Sequence, residues 1–299
     1  MKGMCPALIL RKVQTRMNAA TKDTAMLTQD REFSFSDKDF DRVRTLIYQH
    51  AGIHLTEGKQ AMVYSRLSRR LRDTDHTSFE AYLKWLEASS GDNGACEWQE
   101  FVNSLTTNLT SFFREDHHFQ VLAERLKEKG SKPLRIWCSA ASTGEEPYSI
   151  AMTVAESLGL HAQVKIVASD IDTHVLATAS RGVYEENARG LSPQRLRMFF
   201  LKGKGAQAGH IRIKPELARM VEFRPFNLMQ TQWALGEPFD IVFCRNVMIY
   251  FDASTQRKVL ERIHGVMRPD SMLFVGHSEN FTESRDLFRL RGKTVYDHV

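Results

Sequence analysis

Arg245 and Asn246 follow the apolar run FDIVFC with no turn residue between. A guanidinium and an amide at the end of a buried strand are costly unless a polar partner or a ligand satisfies them. That marks CRNVMIYF (244–251) as a functional segment. SDID (169–172) closes a second apolar run. A carboxylate at such a strand end commonly accepts from both hydroxyls of an adenosine ribose. Asp170 suits that task because it directly follows the run, whereas Asp172 is better placed to cap the next helix. Two solvated loop acids are the competing reading. SAASTGEEP (139–147) follows a third run, with small residues that allow close backbone approach and Pro147 fit for a first helical turn. Only Gly144 is glycine there, so the G-x-G-x-x-G fingerprint is absent and a plain strand-to-helix turn explains it equally well. In FNL (226–228), Asn227 could meet an adenine edge. TTNLTSFFREDHHF (106–119) sets Asn108, Thr110 and Arg114 among Leu109, Phe112 and Phe113, as in a segment lying over a pocket or in an ordinary helix start. His117 and His118 lack companions at metal-ligand spacing, and no metal site is expected.

Such loops need a scaffold that gathers distant strand ends. From about residue 132 apolar runs alternate with helical patterns: LRIWCSA (134–140), VKIVASD (164–170), FDIVFCR (239–245) and MLFVGH (272–277). That rhythm predicts a doubly wound, mostly parallel α/β sheet, whose ligands sit outside the carboxyl ends of its strands. FRLRGKTVYDHV predicts a terminal hairpin around Gly292. Glycine-separated short runs at about 185–226 interrupt the rhythm and predict a small antiparallel insert. Ahead of the sheet, residues 33–107 read as an all-α domain. Ser36 caps a helix with Phe40, Val43 and Ile47 on one face and Gly52 at its end. Helices follow at 59–72, 78–89 and 97–106, with GDNGA (91–95) as the break before the last. Residues 108–132 form a linker, and 133–299 the α/β domain.

The chain has 299 residues, 42% hydrophobic and 26% charged, a globular balance. No apolar run approaches the roughly 20 residues that span a bilayer. The formal charge of +5 favours acidic partners without choosing among them. Four scattered cysteines without a CxxC pair are neither a zinc pattern nor a disulfide framework, and suit a reducing, cytoplasmic compartment. The first 22 residues are basic, but PALIL (6–10) is too short for a secretory core, so residues 1–32 read as a disordered tail, an organellar transit peptide being the other possibility.

TTNLTSFFRE, WCSAASTGEEPYSIA, ASDID, FCRNVMIYFD and GHSENF, in this order, resemble the chemotaxis receptor methyltransferases of bacteria. IYQHAGIHL, MVYSRLSRRLR and EWQEFVNSLTTNLT extend the resemblance through the helical domain, so that it spans about 36–299. It implies a Rossmann-like catalytic domain with an inserted β-subdomain, and transfer of a methyl group from S-adenosylmethionine to receptor glutamates. S-adenosylmethionine would then meet Asn108, Thr110 and Arg114 from the linker, Glu145 and Asp170 from the first two strand ends, Asn227 with Leu228, and Arg245 with Asn246. Arg114 and Tyr250 would orient donor and acceptor.

A glutamate with a pKa near ~4.3 is already ionised at neutral pH, so this chemistry needs positioning rather than a general base. Lys59, Arg66, Arg69, Arg70 and Arg72 on helix 59–72 offer a basic face with no acid. It is either solvated or a dock for the acidic helical bundle of a receptor. The insert of such enzymes can also hold a receptor's C-terminal peptide, and GKGAQAGHIRI (203–213) resembles the short loop of tethering members. Neither nucleic-acid binding nor membrane insertion is expected; the enzyme would be cytoplasmic and recruited to membrane receptors. Three other readings stay open: a methyltransferase of RNA or small molecules, a non-catalytic adaptor, and a nicotinamide dehydrogenase, which the missing glycine fingerprint disfavours.

Overall fold

A computed structural model describes residues 31–299 apart from positions 90 and 131, so the tail expected at 1–32 lies almost wholly outside the described residues. Helices α1 (Asp37–Ala51), α2 (Gln60–Asp73), α3 (Phe79–Ala88) and α4 (Gly91–Leu105) form the first layer. Ser36 begins α1 with a reciprocal cap: its Oγ accepts from the Asp39 amide at 3.2 Å, and Asp39 Oδ2 accepts from the Ser36 amide at 2.9 Å. Val43, Ile47, Val63, Leu67, Leu71, Phe79 and Leu83 fall at helical spacing and bury together as this domain's core. The break expected at 91–95 is instead the first turn of α4. First-turn amides need no intrahelical acceptor, so turn-prone residues are tolerated there. Nor is the second helix free of acid, since it ends on Asp73.

After α5 (His117–Lys129) the chain enters a seven-stranded sheet. Its strands are β1 (Leu134–Cys138), β2 (Val164–Asp170), β6 (Val221–Pro225), β7 (Phe239–Cys244), β8 (Met267–Val275), β9 (Phe288–Gly292) and β10 (Val295–His298). Their order is β6-β2-β1-β7-β8-β10-β9, parallel up to β8, with the last two strands antiparallel as the expected terminal hairpin. Crossover helices α6 (Glu145–Leu158), α7 (Thr173–Arg181) and α10 (Ala253–Gly265) connect them. Alternation along β1 sends Ile136 and Cys138 into one core and Trp137 into the other, so both faces are covered. The strand order reverses between β1 and β7, and their following loops diverge there to open a crevice.

The antiparallel insert is smaller than the sequence suggested. It holds β3 (Val183–Glu185), α8 (Pro193–Phe199), β4 (Phe200–Lys202) and β5 (His210–Ile213), in the order β3-β5-β4. The run at 221–225, past the short helix α9 (Pro215–Ala218), pairs in parallel with β2 and completes the main sheet. A short strand with a mixed burial pattern carries no local sign of which sheet it will join.

The two domains pack tightly where α1 ends. Gly52 caps α1 at φ 70°, and a Cβ there would lie 2.6 Å from Met229 Sδ of the sheet domain. Beside it, Asn227 Nδ2 donates to the His50 carbonyl at 2.7 Å, the His54 amide to the Tyr250 carbonyl at 2.8 Å, and the Tyr48 hydroxyl to Asp252 at 2.7 Å.

Candidate active site

The crevice at the carboxyl ends of β1, β2 and β7 widens into a cleft of about 1210 Å³, open mouth included. Ser139, Ala140 and Ser142 form its floor, Phe226, Leu228 and Ile171 an apolar wall, and the linker, which starts at Thr106 where α4 ends rather than at 108, crosses it with residues 106–110. The helical domain closes one side with Ile53, His54, Leu55, Lys59 and Met62. No local pattern in that domain revealed Ile53, His54, Leu55 or Met62 as site residues, and Lys59 was expected only as a docking charge. The approach of two domains decides it.

Asp170 ends β2 and is 8% exposed. Its oxygens accept from the amides of Ser142 at 2.8 Å and Asp172 at 3.0 Å. Burial pushes its pKa up to about 6, although those amides work against the rise. Two amides leave lone pairs of the carboxylate free for further donors. Asp172 caps α7 as expected, but it also accepts from Thr106 and Asn108 of the linker.

Arg245 is one of the most deeply buried charges of the described residues, 3% exposed. It pairs with Glu146, reaches Glu115 at 3.3 Å and donates to the Arg114 carbonyl. Burial lowers its pKa, but the two carboxylates more than offset this and the net shift is upward. Burial likewise raises Glu115, which Arg245 and neighbouring hydrogen bonds nonetheless hold below its ordinary value. The partners demanded by the sequence are therefore largely protein carboxylates, through which Arg245 holds the linker to the sheet.

Asn246 adopts a left-handed backbone at φ 57°, a conformation asparagine tolerates unusually well. The buried carboxylate of Glu279 fixes this turn, accepting from the amides of Asn246 at 3.0 Å, Met248 at 2.8 Å and Gly276 at 2.5 Å. A Cβ on Gly276 would sit 2.3 Å from Asn246 Nδ2, so only glycine fits. The turn delivers Asn246 and Tyr250 to the cleft.

Most expected contacts therefore share one space: Asn108, Thr110, Arg114, Asp170, Asn227, Leu228, Arg245, Asn246 and Tyr250 all line the cleft. Glu145 does not. Its carboxylate turns onto the Thr143 hydroxyl at 2.6 Å, while Glu146, one residue along the first turn of α6, lines the cleft instead. Asn227 lines it too; one amide hydrogen is given to the His50 carbonyl and one lone pair accepts from the Met229 amide, which leaves one donor and one acceptor position of its side chain. Glu146, Glu115 and Glu279 went unassigned in the sequence. GHSENF drew notice only as a string, because the contacts of Glu279 are made across the fold.

The expected basic face divides. Lys59 lines the cleft mouth, whereas Arg66 donates to the Thr106 carbonyl at 2.7 Å and Arg72 pairs with Glu32 at 2.6 Å. Arg70, its side chain 14% exposed, is bound by Glu97 and Asp73 and serves as internal structure rather than a docking charge. Arg69, 80% exposed, reaches only Asp73 at 3.8 Å and stays available.

A family model described as the CheR methyltransferase SAM-binding domain matches residues 108–296, and the CheR methyltransferase all-alpha domain matches 38–106. The chain belongs to the CheR methyltransferase family. A chemotaxis protein methyltransferase of Escherichia coli (strain K12) is 50% identical over 276 residues, covering 91% of this chain and 95% of that protein. Chemotaxis protein methyltransferase 2 of Pseudomonas aeruginosa is also 50% identical, covering 89% and 95%. A probable chemotaxis protein methyltransferase of Rhizobium etli is 38% identical, covering 85% and 97%.

This CheR methyltransferase thus uses S-adenosylmethionine as its methyl donor and acts in chemotaxis. The cleft fits that cofactor. A buried acid with spare acceptor sites stands at the second strand end, small residues line the floor for close approach, and the wall beside them is apolar. Among the described residues no helix is long and apolar enough to cross a membrane, and no cluster of three or more histidine, cysteine or acidic side chains could hold a metal ion.

Proposed function

We propose that the protein methylates glutamate side chains of chemoreceptors, giving glutamyl methyl esters. The observation that carries this reading is the placement of Asp170, Arg114 and Tyr250 around one cleft roofed by the helical domain, in a chain half identical to chemotaxis methyltransferases. S-adenosylmethionine supplies an activated methyl group on its sulfonium. Asp170 holds the ribose hydroxyls, and the apolar wall of Phe226 and Leu228 holds the adenine. The acceptor carboxylate enters at the mouth, where Tyr250 and Arg114 orient it and the linker limits water. An ionised glutamate needs no proton removed, and positioning supplies most of the acceleration, up to roughly 7–11 kcal/mol in favourable cases.

The decisive test is transfer of labelled methyl to receptor-containing membranes, followed by mild alkali. Volatile labelled methanol is expected, from a carboxyl methyl ester; label that resists alkali would place the methyl on another atom. Replacing Tyr250 by phenylalanine should lower turnover roughly tenfold while leaving the KM for S-adenosylmethionine within about twofold. Equal turnover would remove Tyr250 from the transfer step.

The acidic helical bundle of the receptor docks on the helical domain through Arg69, the most exposed arginine of α2, with Lys59 beside the cleft. Arg69→Glu should slow methyl transfer roughly three- to tenfold at low salt and less at high salt, with cofactor affinity unchanged. A rate unaffected at any ionic strength would move the dock elsewhere. In the insert, β3 and β4 are sheet edges. A receptor's C-terminal peptide would add there as one more strand.

A further inference from the structure

Asp172 divides its carboxylate between two tasks. Oδ1 accepts from the amides of His174 at 2.9 Å and Val175 at 3.2 Å, which is all that capping α7 requires. Oδ2 does nothing for that helix. It accepts from Thr106 Oγ1 at 2.6 Å and from Asn108 Nδ2 at 2.8 Å, both in the linker that crosses the cleft. The residue is 2% exposed, so these bonds face little competition from water. Its own backbone amide donates to Asp170 Oδ1 at 3.0 Å. One residue therefore joins the linker, the start of α7 and the acid assigned to the ribose.

We propose that Asp172 is a positioning residue for cofactor binding, whose second oxygen clamps the linker 106–108 over the cleft in fixed relation to Asp170. The clamp also accounts for Asn108. With its Nδ2 committed to Asp172 and near Thr106 Oγ1 at 3.2 Å, and its backbone carbonyl accepting from Ser142 Oγ at 3.2 Å, Asn108 keeps its side-chain oxygen for the cleft. This inference rests on the reading that the ribose sits at Asp170.

Asparagine and serine cap helices as well as aspartate does, so both can replace Asp172 without costing α7 its cap. Neither restores the clamp. Asparagine turns its amide nitrogen toward another donor on Asn108, and serine has no second oxygen. Calorimetric binding of S-adenosylhomocysteine should therefore weaken about tenfold in Asp172→Asn and in Asp172→Ser, a difference of about 1.4 kcal/mol. Thermal midpoints should stay within a few degrees of the parent. Thr106→Val should weaken binding less, and adding it to Asp172→Ser should cost nothing further, because serine already lacks the oxygen that Thr106 bonds. Unchanged affinity in both Asp172 variants, or losses that simply multiply with Thr106→Val, would overturn the clamp. Asp170→Ala measured alongside separates the two levels of the argument. If only Asp170→Ala loses affinity, the clamp alone fails; if neither variant does, the placement of the ribose fails with it.

Discussion

Asp170→Ala is expected to weaken S-adenosylmethionine binding by about two orders of magnitude. A hydrogen bond to a charged group contributes about 1.5–3 kcal/mol, and the loss of two from a ribose diol exceeds the roughly 2.8 kcal/mol that corresponds to a hundredfold. Asp170→Asn keeps one acceptor oxygen and should lose less. The parent protein carries its own control in pH. Burial pushes the Asp170 carboxyl up to about 6, so its ionised form, the better acceptor for the diol, disappears as pH falls through that value. Affinity should decline between pH 7.5 and 5, and the decline should vanish in Asp170→Ala. Folding stability of the free protein responds in the opposite sense. Because the folded pKa is raised above the unfolded one, the ionised carboxylate is a liability at neutral pH, and the folded state gains from this group as pH falls. Calorimetry at the two pH values checks both; an Asp170→Ala variant that binds as tightly as the parent would remove the residue from the site.

The second large effect is on stability. Arg245→Met should destabilise the fold by about 3–5 kcal/mol, the usual outcome when one member of a buried ion pair is removed. Methionine fills much of the space, but Glu115 and Glu146 are left facing each other's charge without a cation. The Arg114 carbonyl also loses its donor, so the linker should loosen and cofactor binding weaken as well. Adding Glu146→Gln to Arg245→Met should restore a good part of the stability, since it removes one of the stranded charges. The pH dependence has a definite sign. In the parent, Glu115 is held below its ordinary pKa, so its contribution is present at neutral pH and is lost as pH falls. In Arg245→Met the cation that holds Glu115 down is gone, and the deficit should be smaller at pH 5 than at pH 8. Urea midpoints at the two pH values decide it, provided the slope is unchanged. A loss below about 1 kcal/mol would mean that the carboxylates relax into water and that the pair is structural in name only.

The contrast between these residues shows where the limits of the sequence fall. Asp170 was legible because its position, directly after an apolar run, is fixed by strand periodicity, and the chemistry of strand ends in doubly wound sheets is general. Arg245 was legible as an anomaly, a charge at the end of a buried strand. Its partners were not, since Glu115 and Glu146 lie more than a hundred and nearly a hundred residues away and only the sheet order brings them together. Local spacing could not separate Glu145 from Glu146 either: both stand in the first turn of α6, and the rotation of that helix against the sheet sends one to Thr143 and the other to the cleft.

The same division holds across the molecule. Alternating runs, capping residues and glycine positions determined the helices, the strands and the terminal hairpin, because the periodicity that marks each element is local even where strand pairing is not. Composition and motif order also determined the chemistry class. Tertiary structure alone decided that the run at 221–225 joins the main sheet, that Arg70 is internal while Arg69 is free, that Glu279 fixes the turn at Asn246, and that the helical domain forms a wall of the cleft. Each of these is a pairing between residues far apart in sequence. Its energy comes from burial and from hydrogen bonds that exist only once distant segments have packed on each other, so no local pattern carries it.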